Sequence, residues 1–314
     1  MSNDCNKSST VCGHSFHFTC LLRSMSTSNS CPMCRSPLRT GACAEMRDDG
    51  DRDLDEQDDD EYEGETEEGE IIITDETFFH NGVDLRREML EGLIHSICTQ
   101  GDLSETRHLL DENPHLKNSR GKTGDLLTHS AVLSENDRLL SHLLREKSLD
   151  PNLPNDAHAY PLHYAVLSGS LQMVTTLVNN SAFVDCTDNS KKTPLMLACD
   201  REDHDIAEFL MDRGASTMAQ DASGNKPIHF AVKSRAQACL RRLISVDANV
   251  NAVNHMDETP LLVACRLGFH GVSRTLLRAG ADADKKSKFG TTPADEASAN
   301  GSSGLVDLLR RHVS

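Results

Sequence analysis

Tryptophan is absent, tyrosine occurs three times and aromatic residues make up only 4% of the 314 residues. A single large core built on aromatic packing is thereby excluded, and a modular organisation fits better. No stretch approaches the roughly 18–20 consecutive apolar residues that a membrane span requires. The polar beginning, MSNDCNKSST, lacks the apolar run of a secretory signal. The expectation is a soluble protein of the cytoplasm, the nucleus or both, without membrane contact. Glycine-rich phosphate loops and nucleophile elbows are also missing, which removes kinase and hydrolase chemistry.

Positive charge is scarce. Lys and Arg total 32 against 49 Asp and Glu, a net −17, and residues 45–70 hold 16 of the acids with only 2 basic residues. The remainder is close to neutral, so a charge-driven nucleic-acid binder is not expected. Cysteine is present but unevenly spread. Five of the 11 (Cys5, Cys12, Cys20, Cys31 and Cys34) fall in the first 34 residues beside His14 and His17. In a reducing compartment such clustering points to metal rather than disulfides.

Composition divides the chain into a Cys/His/Ser-rich segment (1–39), an acidic segment (40–84) and a repetitive region (85–314). In the last, YPLHYA (160–165), TPLMLA (193–198), KPIHFA (226–231), TPLLVA (259–264) and TPADEA (292–297) place prolines at 161, 194, 227, 260 and 293, a constant step of 33. LTHSA (127–131) and LIHSI (93–97) are weaker copies with 34-residue steps, which brings the total to about seven units. Each unit reads as two short helices and a turn. Thr193 and Thr259 can cap a helix whose first residue is proline. Gly169, Gly268 and Gly301 then end that helix, with Glu202 and Arg235 in the same place elsewhere. Apolar pairs four apart follow, such as Met173, Val174, Leu177 and Val178, or Ile206, Ala207, Leu210 and Met211, before Gly214-Ala215 or Gly280-Ala281 turns the chain.

These residues resemble the ankyrin repeat over about 230 of the 314 positions. The resemblance implies a mostly α solenoid of about seven repeats, in which Tyr164, Leu197, Phe230 and Val263 pack between units. His163 and His229 would hydrogen-bond neighbouring turns, with the first two units acting as an N-terminal cap and its neighbour. It also implies that a protein substrate meets the hairpin tips and the residues after the motif alanine on the concave face. Here those are Asn189, Ser190, Lys192, Arg201, Lys233, His255, Met256, Arg266 and Phe289.

CGHSFHFTC (12–20) and CPMCR (31–35) offer six ligand-type side chains, Cys12, His14, His17, Cys20, Cys31 and Cys34. Short CxH and CxxC loops let two donors reach one tetrahedral Zn2+ without strain. The pattern resembles the last six ligands of a two-histidine RING finger. Carried over, Cys12, His14, Cys31 and Cys34 complete the second zinc site, and His17 with Cys20 are half of the first. The opening CxxC is missing, since only Cys5 precedes Cys12. Because His17 and Cys20 serve only a complete site, a chain continuing upstream is expected; the other reading is a finger holding one ion. The resemblance further implies docking of a ubiquitin-conjugating enzyme, with Arg35 contacting both enzyme and ubiquitin, Pro32 in the docking groove and Leu21 and Leu22 adding apolar contact. Ser24 stands where many relatives carry Trp.

Residues 48–70 repel themselves and have almost nothing to bury, so they read as an extended tether between the two domains. Within EGEIIITDE (68–76), Ile71, Ile72 and Ile73 with acidic flanks are similar to SUMO-interacting motifs, able to add a strand to a sheet edge. The alternative packs them on the first repeat; the acidic run itself could also hold a basic protein. The function expected is a RING-type ubiquitin ligase whose solenoid selects the substrate. The alternative is a non-catalytic ankyrin adaptor with a vestigial finger.

Overall fold

The structure is a computed structural model that describes residues 7–9, 15–17, 79–80, 83–246 and 248–313. Near the N-terminus, β1 (Lys7–Ser9) pairs antiparallel with β2 (Ser15–His17), Ser8 opposite Phe16. A second two-stranded pair joins β3 (Phe79–His80) to β4 (Val83–Asp84).

The described residues from 85 onward form seven helix pairs. They are α1 (Leu85–Gln100) with α2 (Leu103–Glu112), α3 (Leu127–Leu133) with α4 (Asp137–Arg145), α5 (Pro161–Leu167) with α6 (Leu171–Asn179), and α7 (Pro194–Asp200) with α8 (His204–Asp212). After these come α9 (Pro227–Lys233) with α10 (Gln237–Ser245), α11 (Pro260–Arg266) with α12 (His270–Arg278), and α13 (Pro293–Ala299) with α14 (Ser303–Val313). From α3 onward each first helix packs on the next first helix, and second helices pack on second along most of the row, giving two layers. The sequence expectation of about seven stacked units is met.

Five first helices begin at the motif proline, whose missing N–H leaves no orphan donor there. Where threonine precedes it, the hydroxyl accepts a backbone N–H three residues on: from Met196 to Thr193 at 3.4 Å, from Leu262 to Thr259 at 3.2 Å and from Asp295 to Thr292 at 3.2 Å. Each first helix from α3 onward is seven residues long, too short to persist alone. Stacking supplies what propensity cannot. Leu162, Ala165 and Val166, and their counterparts Leu195, Ala198 and Cys199, then Ile228, Ala231 and Val232, then Leu261, Ala264 and Cys265, are at most 1% exposed. In the second layer Met173, Val174 and Leu177, and likewise Ile206, Ala207, Leu210 and Met211, are buried, while Val178 is half-buried.

The repeat cysteines belong to this core. Cys98, Cys186, Cys199, Cys239 and Cys265 are free and buried. Burial pushes the thiols of Cys98 and Cys265 up to about 11 and that of Cys186 to about 12. They behave as small apolar groups, unlike the N-terminal cluster.

The residue closing each first helix is left-handed in all seven units. It is glycine at Gly101, Gly169, Gly268 and Gly301, but Glu135, Glu202 and Arg235 take φ of 53°, 63° and 62° in the other three. The turn is imposed by the stack, and side chains accept it at a cost of about 1–2 kcal/mol.

Motif histidines link the units. Nδ1 of His129, His163 and His229 accepts the N–H of Leu126, Tyr160 and Lys226, each at 3.1 Å. The proton therefore sits on Nε2, which donates to the carbonyls of Ala159 (3.0 Å), Lys192 (3.1 Å) and Glu258 (3.2 Å) one repeat further on. Burial lowers the pKa of all three from the ordinary 6.5, outweighing the hydrogen bonds that would raise it.

Two measurements follow from this architecture. Glu202→Gly should raise the thermal midpoint by about 1–3 °C, while Gly301→Ala, whose added Cβ meets nothing within 4 Å, should lower stability by about 1 kcal/mol. Because the unfolded histidines bind protons more readily than the folded ones, their stabilising effect is complete above about pH 6.5 and is lost as pH falls from there toward the folded-state values. Urea midpoints should decline over that range, and His163→Gln with His229→Gln should flatten the slope.

Candidate partner-binding surface

Between units the chain makes a hairpin-like tip. At a step of 33, Asn155, Asp188, Asp221, Asn254 and Ser287 fold each tip from its base. Asp188 Oδ1 accepts the N–H of Ser190 and Lys192, both at 2.8 Å, and Asp221 Oδ1 those of Ser223 (2.9 Å) and Asn225 (2.7 Å). Asn155 and Asn254 do the same through their amide oxygens, and Ser287 accepts from Phe289. This local closure is Asx-turn chemistry. The series escaped the sequence reading, although its 33-residue period was there to be found.

Successive tips are joined by backbone. Ala222 N–H donates to the Ser190 carbonyl (2.9 Å), His255 to Ser223 (3.0 Å) and Lys288 to Met256 (2.9 Å). Gly224, at φ 78°, allows the approach, since a Cβ there would stand 2.8 Å from the His255 nitrogen.

Of the nine residues expected to meet a substrate, eight are exposed and Lys192 is half-buried. Phe289 is 76% and Met256 47% exposed, large apolar groups in water. Asn189, Ser190 and Lys192 share one tip, His255 and Met256 another, with Phe289 on a third. Arg201 lies just past α7, while Lys233 and Arg266 end α9 and α11. Lys233, His255 and Met256 are brought together by a cavity of about 430 Å³ that Glu258 also lines. Arg201 pairs with Asp203 at 3.0 Å, and Arg266 is held by Glu258 and by Glu296 (3.5 Å). Lys192 and Lys233 instead place their ammonium groups 5.4 and 5.8 Å from the Phe230 ring centroid.

Of the expected inter-repeat packers, Leu197, Phe230 and Val263 are buried. Tyr164 is half-buried, edge-on to His129, and its hydroxyl donates to Asp125 at 3.1 Å. Burial works to raise the Asp125 carboxyl, but hydrogen bonds from Thr123, Asn155 and Tyr164 hold it below its ordinary 3.8. At Glu258 burial is likewise overcome, by Asn254 and Arg266. These carboxylates are structural anchors of the face. Nothing in their geometry pairs an acid with a base around a reacting group.

The expected zinc ligands Cys12, His14, Cys20, Cys31 and Cys34, the expected docking residues Leu21, Leu22, Pro32 and Arg35, and Ile71, Ile72 and Ile73 of the expected SUMO-interacting segment lie outside the described residues. His17 is described only as backbone of β2. Among the described residues there is no group of three or more His, Cys, Asp or Glu able to hold a metal, and no helix is long and apolar enough to cross a membrane.

Stacked helix pairs, laddered tips and an open row of unlike side chains define a repeat protein of the kind that binds other proteins. Residues 128–221, 162–254 and 228–313 match the ankyrin-repeat family in three overlapping copies, so the chain belongs to that family. Residues 1–35 match the RING-H2 zinc finger domain, a fold that implies zinc binding. The chain is similar to the B-cell lymphoma 3 protein homolog of Mus musculus, 35% identical over 48% of this chain and 36% of that protein. To the nuclear factor NF-kappa-B p105 subunit of Gallus gallus it is 29% identical, over 66% and 22%. Similarity to the probable 26S proteasome regulatory subunit p28 of Saccharomyces cerevisiae is 28%, over 65% and 92%. The chain thus spans about a third or less of the first two relatives.

Gly224→Ala should cost about 1–3 kcal/mol and accelerate amide exchange at His255, whose bond it severs. Gly290→Ala at the equivalent tip position, where a Cβ meets nothing within 4 Å, should cost only about 1 kcal/mol. Phe289→Ser should leave the thermal midpoint unchanged, in contrast to a loss of about 2–5 kcal/mol for Leu197→Ala.

Proposed function

We propose that the chain is a RING-type ubiquitin-protein ligase that recruits a ubiquitin-conjugating enzyme through residues 1–39 and a protein substrate through its repeats. The observation carrying this reading is the joining, in one chain, of a RING-H2 match over residues 1–35 to a solenoid with an open contact face. Cys12, His14, Cys31 and Cys34 supply a soft sulfur and nitrogen donor set, which suits Zn2+. Zinc, when bound, supplies a structural tie and no redox chemistry.

Transfer by such a protein needs no nucleophile of its own. Arg35 orients ubiquitin on the conjugating enzyme, Pro32, Leu21 and Leu22 dock that enzyme, and holding the reactants together lowers the barrier entropically. Residues 40–84 tether finger to solenoid, raising the concentration of loaded enzyme near bound substrate. Asn189, Ser190, Lys192, Arg201, Lys233, His255, Met256, Arg266 and Phe289 are the substrate contacts in this reading, Ile71, Ile72 and Ile73 a site for SUMO, and cytoplasm or nucleus the location.

Autoubiquitination with a panel of conjugating enzymes tests the ligase. Activity is expected from this chain, or from a version given a CxxC ahead of Cys12, with loss on Cys31→Ala and a drop of about tenfold or more on Arg35→Ala. Cobalt in place of zinc should give the absorption of tetrahedral thiolate coordination in the wild type and not in Cys31→Ala. A second reading, the non-catalytic adaptor, takes its support from the ankyrin-repeat match, which covers far more of the chain than the finger match does. Silence of both versions in the ubiquitin assay, with substrate binding retained, would select it.

A further inference from the structure

The helices α3, α5, α7, α9 and α11 stand in order in the first layer, and each ends at the same motif position. The last residues of the first four are Leu133, Leu167, Asp200 and Lys233, all exposed. Leu133 is 53% and Leu167 49% exposed, large apolar side chains at a place where water is otherwise met by charge. Asp200 and Lys233 make no ion pair among the described residues, although the next member of the row, Arg266, is held by two glutamates. One row therefore reads aliphatic, aliphatic, negative, positive, with one side chain per repeat. Lys192 adds a second ammonium at the positive end, over the same Phe230 ring as Lys233.

Neighbouring packed helices stand about 8–10 Å apart. A β-strand cannot match that spacing with side chains on one face, because its alternation repeats every second residue, about 6.6 Å. A polyproline-II helix can. With three residues per turn and about 3.1 Å per residue, it presents every third side chain on one edge, about 9.3 Å apart. Its bonded geometry is set in advance by proline, so little ordering entropy opposes binding.

We propose that this row docks a proline-rich polyproline-II segment of a protein partner, carrying at every third position two aliphatic residues, then a cation facing Asp200, then a carboxylate facing Lys233. The inference rests on the reading of the repeats as the recruiting surface, and it specifies the chemistry recruited. Charge complementarity fixes the register. A segment shifted by one repeat sets an aliphatic group against Asp200 and the cation against Lys233.

The test uses the full chain and two fluorescein-labelled peptides, Leu-Pro-Pro-Leu-Pro-Pro-Lys-Pro-Pro-Glu and its reverse, since a polyproline-II helix can dock in either direction. One of the two is expected to bind, at least tenfold more tightly than a peptide of the same composition with Lys and Glu exchanged. Asp200→Lys combined with Lys233→Asp should invert that preference in fluorescence polarisation, and Leu167→Ser should weaken binding about threefold or more. Circular dichroism of each variant confirms that the fold is retained. Equal affinity for the parent and exchanged peptides, or no inversion by the double variant, would overturn the proposal. Ubiquitin transfer does not enter the assay, so this outcome and that of the ligase test are independent.

Discussion

A seven-residue helix with one apolar stripe has no stable existence by itself, and that constraint organises the repeat region. Two turns of helix cannot offset the entropy of their own ordering. They form because a neighbour covers the stripe, so Leu195, Ala198 and Cys199 are shielded by the units on either side as much as by their own. Stability in such an array is close to a sum over neighbouring interfaces. The directional element is the motif histidine, which spends one ring nitrogen on its own helix start and the other on the next unit's backbone. A neutral ring with a fixed tautomer links local capping to inter-repeat contact, and protonation removes the bond accepted at Nδ1 while Nε2 still donates to the next unit.

Rigidity on one side permits variety on the other. The tip ladder and the Asx turns satisfy their polar groups through backbone, leaving the outward side chains without a structural task. Asn189, His255 and Phe289 can therefore differ in charge and bulk without disturbing the fold. The division is not absolute. Arg266 serves as a bridge between Glu258 and Glu296, and Asp125 is fixed by three donors, so these exposed or half-buried groups stiffen the face more than they offer it. Asp200 and Lys233 make no ion pair among the described residues, and the docking row follows from them.

The two kinds of cysteine in the chain illustrate how setting decides chemistry. The thiols of Cys98, Cys186 and Cys265 are buried and pushed toward the neutral form, which makes them inert filling. Those of residues 12–34 stand at CxH and CxxC spacing, within the RING-H2 match that implies zinc binding.

Periodicity alone determined the solenoid. A proline every 33 residues, the capping threonine and the aliphatic pairs are local signals, and each acts within a few residues of where it stands, so helix starts and buried stripes were readable without coordinates. The RING-H2 resemblance of residues 1–35 was legible for the same reason, since the spacing of its cysteines and histidines is a local property. What the tertiary structure decided was relational. Glu135, Glu202 and Arg235 adopt a glycine's conformation because the stack, not the residue, dictates the turn. Arg266 reaches Glu296 only because stacking brings the next repeat near, and the alignment of Leu133, Leu167, Asp200 and Lys233 exists only because residues 33 or 34 apart come to stand side by side.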